Sequence, residues 1–128
     1  MNEDIRWQQR FENFKKAFSR LKEALAQEKL NELERNGMVQ RFEFTIDICW
    51  KTLKDYLTDQ KFSFKPSPKE TIRQAYESGF IEDAQSLIDG LDIRNELSHD
   101  YSGEKFEKAE KQIREEFFPA IEKVYSFI

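Results

Sequence analysis

The stretch WQQRFENFKKAFSRLKEAL, residues 7–25, decides the fold class. Trp7, Phe11, Phe14, Phe18, Leu21 and Leu25 follow one another at steps of 4, 3, 4, 3 and 4, with charged and amide residues in most of the gaps. A helix turning by about 100° per residue gathers these positions into one stripe, the pattern of a helix packed along a bundle seam. The stretch VQRFEFTIDICWKTLKDYL, residues 39–57, repeats it: Val39, Phe42, Ile46, Cys49, Leu53 and Tyr56 step by 3, 4, 3, 4 and 3. Phe44, Trp50 and Leu57 widen the apolar surface of this second helix.

Working outward, the remaining segments keep the same periodicity, punctuated by only 4 Gly and 3 Pro. Lys61 to Ser67, with Phe62, Phe64 and Pro66, is expected to be a connection whose aromatics cover one end of the bundle. Ser67 as N-cap, Pro68 at the first helical position and Glu70 predict a capping box, and Gly79 predicts the end of that short helix, with Ile72, Ala75 and Tyr76 on one side. A fresh helix from about Glu82 carries Ala84, Leu87, Ile88 and Leu91 and should end near His99. Ser102 and Gly103 supply a turn and N-cap for the last helix, with Phe106, Ala109, Ile113, Phe117, Ala120, Val124 and Phe127 as its seam. Pro119 inside it removes a backbone hydrogen bond and predicts a bend around Glu115 to Pro119. The whole reads as all-α: an antiparallel, up-and-down, left-handed four-helix bundle with one short additional helix, a single domain over residues 1–128.

Composition narrows the function. A chain of 128 residues has no room for a separate cofactor domain, and no cofactor is expected. With 36% charged residues and a mean hydropathy of -0.82, no apolar run approaches the roughly 20 residues of a membrane span. The N-terminal MNEDIRWQQR lacks the apolar stretch of a signal peptide, so a cytoplasmic chain with no membrane contact is expected. A single cysteine, Cys49, excludes an internal disulfide, and a single histidine, His99, leaves few nitrogen ligands, so no metal site is expected. Pairs such as Glu115 and Glu116, or Glu32 and Glu34, are not spaced with histidine as a metal site and read as solvated surface. Cys49 lies on the seam and reads as core. No Gly-rich loop precedes a helix, which argues against ATP binding by this chain alone.

The net charge of -4 and pI near 5.2 carry no global positive field that would mark a nucleic-acid binder. Lys51 to Arg73 is locally basic, six cations against three carboxylates, net +3, which leaves -7 for the rest of the chain. Within it Lys61, Lys65, Lys69 and Arg73 are candidates for guiding an RNA backbone; the alternative is a solvated helix and loop face. The 12 Phe, 4 Tyr and 2 Trp make either a generous core or a face that pairs with a second chain.

Chemistry concentrates in DIRNELSHDY, Asp92 to Tyr101, where the seam of the fourth long pattern turns polar. Continuing the register from Ala84, Leu87 or Ile88, and Leu91 leads to Arg94 or Asn95 and then Ser98. Arg94, Asn95, Ser98 and His99 share an arc of about 140° on a helix. Ile93 and Leu97 lie on another side; either they anchor the helix while the polar arc faces a cleft, or they are the true seam and the arc is solvated. A guanidinium and an imidazole suit metal-independent RNA cleavage, one holding phosphate and the other moving protons at the ribose hydroxyl or leaving oxygen. Two protons move in that reaction, so a dimer that places two arcs across one groove supplies the second imidazole.

The segment RNELSHDY resembles the RX4HXY motif of the HEPN superfamily, particularly its HepT-like toxin branch, with Arg94, His99 and Tyr101 in the motif positions. QRFEFTIDICWKTLKDYL, Gln40 to Leu57, together with SPKETIRQAYESGFI and the C-terminal helix, is similar to the small nucleotidyltransferase substrate-binding proteins, so the resemblance spans essentially the whole chain. It implies a helical homodimer whose two motifs line a shared cleft, encoded beside a cognate MNT-type nucleotidyltransferase as a toxin-antitoxin module. In that reading the chain is a metal-independent RNase with Arg94 and His99 catalytic, Asn95 and Ser98 supporting, and RNA as substrate. Tyr101 is the AMP acceptor through which the partner silences the toxin; its plainer alternative is a ring packed over the turn into the last helix. The competing function is a non-catalytic substrate-binding subunit of a two-component nucleotidyltransferase. A third is a helical dimerisation module for which the motif is incidental.

Overall fold

The computed structural model describes residues 3–97 and 103–128, and among these every regular element is helical. They are α1 (Glu3–Leu25), α2 (Glu32–Asp59), α3 (Pro68–Glu77), α4 (Ala84–Leu97), α5 (Gly103–Gln112), a π-helical turn (Ile113–Phe117) and α6 (Phe118–Phe127). The backbone stays in the right-handed helical region from Gln112 through Phe118, so α5, the π turn and α6 form one rod.

Local chemistry accounts for the boundaries. Asn31 opens α2 with a reciprocal capping box: its Oδ1 accepts from the Glu34 amide at 2.8 Å, and the Glu34 carboxylate accepts from the Asn31 amide at 2.9 Å. At α3, Ser67 occupies the N-cap and Pro68 follows it, but the expected box is not formed, because Ser67 makes no side-chain cap bond and Glu70 pairs with Arg73 instead. Proline at the first position already removes one orphan amide, so this helix start tolerates the loss. Gly79, at φ +79°, closes α3 by a turn in which the Phe80 amide donates to the Ala75 carbonyl at 2.9 Å. Asp83 stands before α4 and accepts from the Ser86 amide at 3.0 Å.

The helices alternate in direction. Arg10 meets Asp55, Ala17 meets Thr45 and Arg20 meets Arg41, so α1 and α2 run antiparallel. Phe18 stacks on Phe118 at 5.1 Å and Phe11 on Tyr125 at 5.8 Å, which sets α6 antiparallel to α1. The Arg10 to Asp55 contact, at 3.1 Å to a nearly buried carboxylate, is ionic without hydrogen-bond alignment. Leu87, Leu91 and Leu97 of α4 join Phe14, Leu21, Phe42, Ile46, Leu53 and Phe117 in one core. Burying each large side chain contributes about 1.5–3 kcal/mol, which sums to the drive that holds the helices together.

Phe14, Phe18, Phe42, Phe106 and Phe117 are buried, and most of the other aromatics are partly buried against them. Trp7, Tyr56, Phe62, Phe80 and Phe127 make a chain of edge and stacked contacts at the end of the bundle opposite the α1–α2 connection. Tyr76 departs from expectation and is 54% exposed, as is Phe44 at 60%. Pro119 produces its predicted disturbance as the π turn, in which the Phe118 amide reaches back to the Ile113 carbonyl; the extra residue per turn accommodates the ring that a regular helix would drive into Glu115. Arg114, in that turn, donates to the carbonyls of Leu25 and Gln27 at 2.6 and 2.9 Å and satisfies the open end of α1.

Candidate functional site

Glu43, Asp47 and Lys51 recur every four residues on α2, so they form one charged row beside the buried row of Phe42, Ile46, Cys49 and Leu53. The last turns of α4 lie against that row. Gly90 lies at the contact: a methyl there would come within 2.6 Å of Ile46 Cδ1 and make that side chain shift. Leu97 is buried and Ile93 partly so, and these apolar anchors hold Arg94 half-buried on the side facing α2. Leu97 is therefore core and Arg94 lies at the core's polar edge, while Asn95, the other described member of the polar arc, is exposed.

Asp47 is the hub of the cluster. Its Oδ1 receives Arg94 Nη1 at 3.1 Å and Trp50 Nε1 at 3.3 Å, and its Oδ2 receives Lys51 Nζ at 2.8 Å. Burial pushes the Asp47 carboxyl upward, but the Lys51 hydrogen bond, the Arg94 and Lys51 charges and the Trp50 hydrogen bond outweigh it and hold the group below its ordinary value. Glu43 shows the reverse balance: burial raises its carboxyl, and Arg94 draws it only partly back. Lys54 adds a cation 5.6 Å from the Trp50 ring centre. The Asp47 carboxylate pairs ionically with the guanidinium of Arg94 and neutralises it, so an incoming phosphate has to compete with Asp47.

Of the residues singled out by sequence, Arg94 sits in this cluster and Asn95 is exposed on the next position of α4. Ser98, His99 and Tyr101 lie outside the described residues, as does Ser102. The basic segment is distributed rather than gathered. Lys69 pairs with Asp92 of α4 at 2.9 Å and Arg73 with Glu70, while Lys61 and Lys65 are exposed on the connection after α2. Glu43, Asp47 and Lys51 were missed by the motif reading; their spacing of four beside an apolar row was the available signal. Cys49 is buried, and burial pushes its thiol upward, which suits a core residue and not a nucleophile. Among the described residues no group of three or more His, Cys, Asp or Glu side chains is arranged to hold a metal ion, and no helix is long and apolar enough to cross a membrane.

The chain is similar in structure to the Thermus thermophilus protein ttk003001694, whose crystal structure superposes with a TM-score of 0.81 at 29% identity, over 88% of this chain and 96% of that one. No curated protein matches. A family model described as nucleotidyltransferase substrate binding protein like matches residues 9–128, from the first turns of α1 to the last residue, and the chain belongs to that family.

Proposed function

We propose that this protein is the non-catalytic partner of a nucleotidyltransferase, presenting substrate to an enzyme that lacks its own substrate domain. The observation that carries the reading is the family match over residues 9–128. The Arg94–Asp47 pair supports it, because a guanidinium already neutralised by a half-buried carboxylate is a poor clamp for a scissile phosphate. Co-expression with a cognate nucleotidyltransferase tests it. A stable complex whose transfer activity depends on this chain, with RNA left intact by the chain alone, is the expected result; no complex, or no dependence, rejects it.

The second reading is the HEPN-type toxin, a homodimeric metal-independent RNase in the cytoplasm, silenced by AMP transfer to Tyr101. Its support is the spacing of Arg94, His99 and Tyr101 in the sequence. In this reading His99→Ala abolishes RNA cleavage, and the intact mass after co-expression shows AMP on Tyr101. RNA cleavage that is lost in His99→Ala would replace the first reading by this one.

A further inference from the structure

A groove of about 670 Å3 runs between α1 and the first half of α2, on the side of α2 away from Asp47's partners on α4. That volume is within the roughly 300–1,000 Å3 of small-molecule sites. Two facing rows build it, one turn apart along each helix: Lys16 and Arg20 on α1, and Gly37, Arg41 and Phe44 on α2. At its floor lies fully buried Thr45, whose hydroxyl sits 2.5 Å from the Arg41 carbonyl of its own helix and 3.2 Å from the Ala17 carbonyl of α1.

Three properties define what it accepts. First, it carries two arginines and a lysine and, among the described residues, no carboxylate in its lining, although the chain as a whole is net -4. None of the ion pairs among the described residues engages Lys16, Arg20 or Arg41. Second, Arg41 is held across the groove, its Nη1 donating to the Arg20 carbonyl at 2.8 Å, which leaves the other donors of its rigid fork for an anion. Third, Phe44 is 60% exposed at the groove's edge, a flat apolar face beside the cations, and two turns further back along α2 Gly37 leaves the groove open. Cations in a row suit several phosphate charges, and an aromatic face beside them suits a base.

We infer that this groove binds a nucleoside polyphosphate, the base on Phe44 and the phosphates along Lys16, Arg20 and Arg41. The assignment deepens the substrate-binding reading above by naming the class of ligand, and it uses side-chain cations where a Gly-rich loop would use backbone amides.

Calorimetric titration of the full chain with ATP, adenosine and inorganic triphosphate tests it. Saturable one-to-one binding of ATP, tighter than that of either fragment, is expected. Phe44→Ala should weaken ATP by at least about fivefold, as loss of a stacking face does, and leave triphosphate unchanged. The double variant Lys16→Gln, Arg20→Gln should weaken both. Phe44→Leu, which keeps apolar bulk but no ring, should behave as Phe44→Ala and guards against a folding artefact. Absence of saturable ATP binding, equal affinity for ATP and triphosphate, or an unchanged ATP affinity in both Phe44 variants overturns the inference. If the chain still forms an active complex with the nucleotidyltransferase in those cases, the groove assignment fails and the subunit reading stands. If no complex forms, the subunit reading fails whatever the titration gives.

Discussion

The two flanks of α2 carry similar cations and use them differently. On the flank facing α4, Arg94 and Lys51 converge on Asp47, and Lys69 reaches Asp92 nearby. On the flank facing α1, Lys16, Arg20 and Arg41 line a cavity that no carboxylate enters among the described residues. Counting charge along the chain points to Lys51–Arg73 as the basic region. Pairing in space reverses the emphasis, because an ion pair cancels the field of its cation at the distances where a ligand would feel it. The paired flank is a device for fixing α4 on α2; the unpaired flank is the one with anion-binding capacity left over.

That contrast can be broken or sharpened by substitution. The largest effect is expected at Phe42, fully buried and stacked on Phe117 at 5.8 Å: Phe42→Ala should cost about 3–5 kcal/mol by chemical denaturation. Asp47→Asn should cost less, about 0.2–1 kcal/mol at neutral pH, since its partners are partly solvated. Because the folded Asp47 carboxyl is depressed, its contribution is present above the ordinary carboxylate range and is lost as pH falls through the depressed value. The urea midpoints of Asp47→Asn and the unaltered protein should therefore converge in acid. Glu43→Gln should show the opposite sign, a small gain at neutral pH that vanishes in acid, because its raised carboxyl disfavours the folded state once ionised. Identical pH profiles for the two variants would mean that the Lys51 and Trp50 contacts do not set Asp47 apart from Glu43. Phe44→Ala, two residues from Phe42 but solvent-exposed, should change stability by no more than about 0.5 kcal/mol while altering ligand binding.

Much of the architecture was legible because the seam residues obey helical spacing and are in fact buried: Phe14, Phe18 and Leu21 in α1, Phe42, Ile46, Cys49 and Leu53 in α2, Phe106 through Val124 in the last rod. The capping pattern misleads at α3 and is realised at Asn31, where the same spacing stands in the sequence. Ser-x-x-Glu and Asn-x-x-Glu are equally good local patterns, and whether the glutamate turns back to the cap or outward to an arginine depends on competitors such as Arg73. Phe44 reads in sequence as part of the apolar surface of α2, yet it faces the groove. Hydrophobicity marks a residue as suitable for burial, and the supply of neighbours settles whether burial happens.

Helix number, helix order and the identity of the core were encoded along the chain, because side-chain periodicity and end signals act within a few residues of one another. The partners of each charge were not encoded there. Arg94 meets Asp47, and Arg41 reaches the Arg20 carbonyl, across separations of 47 and 21 residues that exist only once the helices are packed. Electrostatic attraction depends on distance and on the solvent between charges, and both quantities are created by the fold.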